Sequence, residues 1–161
     1  MQPTTIDPQV RSAHALVLAG SAVLLGGALV SQHVFGLYPC DMCMWQRWPH
    51  VAALVIGTLA LFLAGAPRRA LVAAAALAVL ISAGIGVWHA GVEYGWWESP
   101  LPCSADIMTG GDFLSDVMAA PLIRCDQPAW TLFGLSLAGY NPILSSLIGG
   151  AALWLLTRRN T

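Results

Sequence analysis

Four stretches of this chain are too long, too apolar and too free of charge to form the surface of a soluble domain. The clearest is residues 14–35, 22 residues with no formal charge when histidine is neutral. As a helix rising about 1.5 Å per residue, it can cross a hydrocarbon core of about 30 Å. A secretory signal would have a shorter apolar core, about 7–15 residues. Residues 50–66 form a second run, 17 residues long and at the short limit, which Pro67, Arg68 and Arg69 end. Residues 70–92, rich in Ala, Val and Leu, form a third, and residues 137–156 a fourth. Only 9% of the 161 residues are charged, against about a quarter in soluble domains. The expectation is an all-α membrane protein: four transmembrane helices in one integral membrane domain over residues 1–161. Residues 1–13 read as a short polar, poorly ordered tail.

The arginines orient the spans. Four crossings put both termini on one side, with Arg11, Arg68, Arg69, Arg158 and Arg159; the other side has Arg47 and Arg124. Positive charge gathers on the cytoplasmic side, so both termini are expected there. Two periplasmic loops then cover residues 36–49 and 95–136. No basic block exists to bind nucleic acid, and the second loop is acidic, with Glu98, Asp106, Asp112, Asp116 and Asp126 against Arg124.

Within the spans, Gly20, Gly26, Gly27, Gly84, Gly86, Gly149 and Gly150 are expected to let helices approach closely. Asn141-Pro142 either caps and starts the fourth helix or kinks it. Trp45, Trp48, Trp96, Trp97 and Trp130 sit where an aromatic belt would meet the lipid interface; stacking on a flat ligand is the sharper alternative. Phe113, Val117 and Met118 suggest a short membrane-surface helix over residues 112–120.

All four cysteines fall in the two outer loops, two in each. The expected compartment is one where disulfides persist. Cys40 and Cys43 form a Cys-x-x-Cys pair, which can switch between dithiol and disulfide without moving the fold. Arg47 lies four residues after Cys43. If the second helix begins near Cys43, the two share a face, and the helix N-terminus and guanidinium both favour a Cys43 thiolate. Asp41 opposes it by like charge. Pro49 then belongs to the first turn, where its missing N–H is not needed. The plainer role for Arg47 is to bind a lipid headgroup.

His89 stands at the outer end of the third span, four residues before Glu93. At that depth an ionisable group is a functional candidate, able to hydrogen-bond a ligand oxygen; packing against a neighbouring helix is the alternative. Glu93 is expected to be solvated, and His14, His33 and His50 to be structural. Cys103 and Cys125 enclose 21 residues, and a structural bridge there would be worth about 3 kcal/mol in chain-entropy terms. Alternatively, an outside thiol attacks one pair and exchange passes electrons to the other. The final acceptor would be a lipid-soluble carrier beside Cys43, Arg47 and His89, because no haem, flavin or dinucleotide signature is visible.

The run Pro39-Cys40-Asp41-Met42-Cys43-Met44-Trp45-Gln46-Arg47 resembles the DsbB family of bacterial disulfide bond formation proteins. So do Trp88-His89-Ala90-Gly91-Val92-Glu93, Cys103, Arg124-Cys125-Asp126, and Phe133-Gly134-Leu135-Ser136 leading into Asn141. The resemblance covers nearly the whole chain. It implies a bacterial inner-membrane enzyme that reoxidises a DsbA-like thioredoxin-fold protein and passes two electrons to a quinone, ubiquinone or menaquinone. By the same resemblance, Cys103 would form the mixed disulfide with that partner and Cys125 would be its mate. Cys40 would exchange with the second loop. Cys43 would face the quinone, Arg47 would stabilise what forms there, and His89 would lie beside the ring. Some family members carry Glu where this chain has Gln46.

Other readings predict different behaviour. A vitamin K epoxide reductase-like enzyme shares a four-helix core but places its Cys-x-x-Cys late in the chain. A non-enzymatic scaffold with two structural disulfides would tolerate Cys43→Ser. A four-thiolate zinc site is disfavoured by the wide gap between Cys103 and Cys125 and by the oxidising compartment.

Overall fold

The computed structural model describes residues 7–100 and 123–158. Cys103 and the expected short helix over residues 112–120 lie outside them. Among the described residues, four helices carry the fold: α1 (Pro8–His33), α2 (Asp41–Ala60), α3 (Gly65–Glu93) and α4 (Leu137–Thr157). Each packs on its neighbour in sequence, and α4 closes the ring against α1. Two of them, α1 and α3, are long and apolar enough to cross a bilayer.

The core is rich in small residues. Ala13, Ala53, Ala60, Ala75, Ala76, Ala152, Ser21, Ser82 and Ser145 are fully buried, whereas Val23, Phe62, Leu147 and Trp154 point outward. A protein in water places its large apolar side chains inside. Here lipid solvates them, and the small residues let the helices close on one another. Gly86 and Gly149 are two such close approaches. A Cβ on Gly86 would lie 2.7 Å from Pro142 Cδ, and one on Gly149 2.7 Å from Leu80 Cγ. Gly26, Gly27, Gly84 and Gly150 face open space instead, so close packing does not explain them.

Local chemistry shifts several boundaries from those expected. Asp7 caps α1 by accepting from the Gln9 N–H, so that helix starts at Pro8, inside the expected tail. Pro67, Arg68 and Arg69 do not end a helix but lie in the first turns of α3, where proline's missing N–H is harmless. Ser136 caps α4 by accepting from Gly139 N–H at 2.9 Å. Asn141 is therefore no cap, and Pro142 sits inside the helix. Pro49 is likewise interior to α2 rather than in its first turn. Beside that break, the Ser82 hydroxyl donates to the Gln46 carbonyl at 2.8 Å, the kind of side-chain substitute that lets a membrane helix tolerate proline.

One end of the bundle is basic. His14 hydrogen-bonds the Gly57 carbonyl at 2.7 Å and Arg68 at 2.9 Å. Arg69 donates to the Leu156 carbonyl, and Arg158 lies over the Trp154 ring. The start of α1 and the end of α4 thus share an end with the α2–α3 turn. Cys40, Cys43 and Cys125 occupy the other. There a small antiparallel hairpin, β1 (Thr131–Leu132) and β2 (Leu135–Ser136), precedes α4. Its two-residue turn has positive φ at Phe133 (50°) and Gly134 (80°), the combination that matches strand twist in tight hairpins. Tyr140 and Tyr94 hydroxyls donate to the Leu132 and Gly134 carbonyls and hold it in place.

Candidate functional site

The site begins with a helix cap. Cys40 is the N-cap of α2, and its sulfur accepts from the Cys43 N–H at 3.3 Å. The helix therefore starts at Asp41, two residues before Cys43, and both cysteines lie at its positive end. They lie 3.0 Å apart. Among the described residues there is no disulfide; Cys40, Cys43 and Cys125 are thiols.

The reduced pair is polarised. The hydrogen bond from Cys40 lowers the Cys43 pKa against the opposing effect of burial. The same bond, with burial, pushes Cys40 up to about 12. Cys40 is thus the thiol donor of the pair, and Cys43 is the sulfur that ionises first. Such a pair titrates as a unit.

Cys40 and Cys43 look in different directions. Buried Cys40 packs with Met42, Val92 and Cys125, with Cys43 and Ile123 at the edge of the cluster. Burial, then Cys40 and Asp41, push Cys125 up to about 11, although the Met42 backbone bond works the other way. On either side of it, Arg124 and Asp126 pair with each other at 2.8 Å, holding Asp126 below the usual carboxylate range.

Cys43, by contrast, lines a cavity of about 410 Å³ between α1, α2 and α4, with Glu93 of α3, Trp130 and Leu132 of the hairpin also in its wall. Small-molecule sites run from about 300 to 1,000 Å³ and are mostly apolar with a few placed polar groups. The polar groups here include Arg47, Gln46, His50, Glu93 and Asn141. Arg47 sits one turn beyond Cys43, as the spacing predicted. Its guanidinium crosses to α1, donating to Gln32 Oε1 at 2.5 Å and to the Ala28 carbonyl at 3.2 Å.

His89 is brought to the cysteines but does not line the cavity. It is 1% exposed. Its Nε2 lies 3.5 Å from Cys40 Sγ and 3.9 Å from Glu93, and Gln46 Nε2 donates to its Nδ1 at 2.7 Å. The backbone of Cys125 reaches the same imidazole. Glu93, expected in solvent, has a side chain only 7% exposed and accepts from the Ser136 hydroxyl.

Sequence reasoning missed the amide network behind the thiols. Gln46 Oε1 accepts from Asn141 Nδ2 at 2.7 Å, and Asn141 Oδ1 faces His50 Nε2 at 3.2 Å and the Ser145 hydroxyl at 2.8 Å. His50, read as structural, is 3% exposed and lines the cavity. The available signal was spacing: Gln46 and His50, like Asn141 and Ser145, are four apart on apolar helices, so each pair shares a face.

Cys40, Cys43 and His89 also present sulfur and nitrogen atoms within 4.8 Å of one another, three potential ligands for a soft divalent ion. Two thiolates on a tetrahedral zinc would stand about 3.8 Å apart, given about 2.3 Å per Zn–S bond. The observed 3.0 Å matches a hydrogen bond better than a shared metal.

Residues 10–155 match the family described as disulfide bond formation protein DsbB. Proteins named disulfide bond formation protein B are similar along the chain. The one from Aromatoleum aromaticum is 34% identical over 92% of this chain and 95% of its own length. That from Polaromonas sp. is 33% identical over 96% and 95%, and that from Stutzerimonas stutzeri 30% identical over 93% and 96%. No solved structure matches.

Proposed function

Because this chain belongs to the DsbB family of disulfide bond formation proteins, we propose that it is a membrane protein-dithiol:quinone oxidoreductase that reoxidises a DsbA-like periplasmic thioredoxin-fold protein. The observation that carries this reading is the division of labour within one Cys-x-x-Cys. Cys40 packs against Cys125, while Cys43, 3.0 Å away, opens on an apolar cavity beside Arg47.

In this reading a donor thiolate attacks Cys103 of a Cys103–Cys125 disulfide, releasing Cys125. Cys125 attacks Cys40 of the Cys40–Cys43 disulfide and releases Cys43 as a thiolate toward the cavity. The donor's second thiol then frees Cys103, which restores the Cys103–Cys125 bond and leaves Cys40 and Cys43 reduced. That pair gives two electrons to a quinone, which supplies the oxidising power when bound and takes its two protons from Cys40 and the medium. Arg47 holds positive charge at the cavity wall next to the Cys43 sulfur. His89 and the helix N-terminus orient Cys40. The dimensions and apolar lining of the cavity fit a flat ring, and ubiquinone or menaquinone is the expected class.

The topology that goes with it has four membrane crossings, both termini cytoplasmic and the cysteine end periplasmic, in a bacterial inner membrane. It is supported by arginines at one end and thiols at the other, and by the outward-facing large apolar side chains.

The test is anaerobic quinol formation by purified protein, with a reduced thioredoxin-fold dithiol as donor and benzoquinone or naphthoquinone analogues as acceptor. Quinol is expected in step with donor oxidation, and is expected to be lost in Cys43→Ser and Cys103→Ser. Wild-type protein that forms no quinol with either class would refute the assignment.

A further inference from the structure

A chain of hydrogen bonds that starts at a backbone carbonyl fixes which nitrogen of His89 carries its proton. Asn141 Nδ2 lies 3.2 Å from the Ser82 carbonyl, which only accepts, and 3.0 Å from the Ser82 hydroxyl. That hydroxyl gives its own proton to the Gln46 carbonyl at 2.8 Å, so it too accepts from Asn141. The Asn141 group on this side is therefore the NH2, and the Gln46 atom 2.7 Å from it is the amide oxygen. The other end of the Gln46 amide is then its NH2, in agreement with the Met42 carbonyl 3.4 Å away.

This NH2 faces His89 Nδ1 at 2.7 Å. An amide N–H only donates, so Nδ1 accepts, and the proton of the neutral ring sits on Nε2. A second proton, on Nδ1, would point at the Gln46 N–H. On the Nε2 side stand the Cys40 sulfur at 3.5 Å and the Glu93 carboxylate at 3.9 Å. The Cys40 S–H donates to Cys43, which leaves the Cys40 sulfur to accept from His89.

A ring held in this way is no base for Cys40, because its only lone pair is turned to Gln46. It offers a donor instead. In the relay order proposed above, Cys40 is the leaving group of the last exchange. The Cys103 sulfur attacks Cys125 of the Cys40–Cys125 bridge. The Cys103–Cys125 bond forms, the Cys40–Cys125 bond breaks, and Cys40 departs with the electron pair, then takes a proton from the medium. A less basic thiol leaves faster, and an N–H donated to the thiolate makes it less basic. We propose, on that relay order, that Gln46 is a positioning residue: it holds His89 as the neutral tautomer whose Nε2–H donates to the Cys40 sulfur, so that Cys40 departs as a stabilised thiolate when the second-loop disulfide re-forms.

The experiment uses the full-length protein in detergent without oxygen and has two readouts. The first is nitrogen NMR of the reduced protein with isotope-labelled histidine, the His89 signals being those lost in His89→Gln. Wild type is expected to show a bare Nδ1 and a protonated Nε2. Gln46→Glu, whose carboxylate accepts, is expected to protonate Nδ1. A protonated Nδ1 in wild type, or a bare one in Gln46→Glu, overturns the role of Gln46. The second readout mixes the oxidised protein with a two-cysteine thioredoxin-fold donor and no quinone, and follows the lifetime of the Cys40–Cys125 bridge by acid quench, alkylation and peptide mapping. His89→Leu, with no donor, is expected to lengthen that lifetime about three- to tenfold, the range covered by one lost hydrogen bond. His89→Gln, whose amide N–H replaces Nε2–H, is expected to stay within about twofold of wild type. An unchanged lifetime in His89→Leu, or equal lengthening in both variants, overturns the donor role. Wild-type protein that forms no Cys40–Cys125 bridge removes the relay order and this inference with it.

Discussion

Cys40 and Cys43 have their sulfurs 3.0 Å apart, yet only Cys43 borders the cavity, and Cys40 is turned to Cys125. A Cys-x-x-Cys at a helix start makes this possible. The cap residue points back across the helix end toward the second loop, and the first-turn residue points sideways between helices.

The Cys40–Cys43 hydrogen bond predicts unequal thiols. Cys43 has a lowered pKa, because Cys40 donates to it, while Cys40 is pushed up to about 12. In the reduced protein, Cys43 should alkylate at least about tenfold faster than Cys40 at neutral pH. As pH rises beyond the Cys43 titration, its rate should level off while the Cys40 rate keeps climbing, so the ratio falls toward pH 12. Timed alkylation with peptide mapping reads both. Equal rates, or a ratio that does not change with pH, would contradict the polarisation.

Arg47 is held by Gln32 and the Ala28 carbonyl rather than by a carboxylate, which leaves its charge for the cavity. Arg47→Met should raise the apparent KM for quinone and lower turnover, by about tenfold in kcat/KM, with the folded state retained. Steady-state kinetics with varied quinone checks this, and unchanged constants would remove Arg47 from the site.

Gln46 bridges His89 and Asn141. Gln46→Leu strands the His89 nitrogen, at about 1–3 kcal/mol, and takes one of three acceptors from the Asn141 amide, which keeps Ser82. A lower unfolding temperature in detergent is expected. The same substitution should disturb Cys40 reactivity, because the imidazole that it orients lies 3.5 Å from that sulfur. A variant as stable as wild type would show that the network is not structural.

Gly86 and Gly84 form a matched pair. A methyl on Gly86 meets Pro142 Cδ at 2.7 Å and Gln46 Oε1 at 3.1 Å, while one on Gly84 meets nothing within 4 Å. Gly86→Ala should destabilise by about 1–3 kcal/mol through overpacking, and Gly84→Ala should be neutral or slightly stabilising, as alanine favours helix. Thermal unfolding of the two variants side by side decides it.

Much of this arrangement was legible in the sequence, because lipid imposes simple rules. Long uncharged runs mark α1 and α3, arginines mark one end, and cysteines the other. Cys43 and Arg47 share a face because four residues make one turn. Helix boundaries were less legible. Cys40 acts as a cap where serine or aspartate is usual, and Ser136 took the capping role offered to Asn141. Membrane helices also tolerate interior prolines at 49 and 142 when neighbouring groups compensate. The buried network of Gln46, His50, Asn141 and Ser145 was legible only as i, i+4 pairs. Their meeting depends on α2 and α4 converging across the bundle, which no local pattern specifies. Glu93 was misjudged for the same reason: its partner, Ser136, is 43 residues away.

The central claim is that Cys40 serves the second loop and Cys43 the acceptor. It is tested most directly by trapping the exchange without quinone. The oxidised protein is mixed with a thioredoxin-fold donor that has only its attacking cysteine, then acid-quenched, alkylated and peptide-mapped. The account predicts donor bound to Cys103, a Cys40–Cys125 bridge and alkylated Cys43. A Cys43–Cys125 bridge with alkylated Cys40, or an intact Cys40–Cys43 bond beside alkylated Cys125, would contradict it.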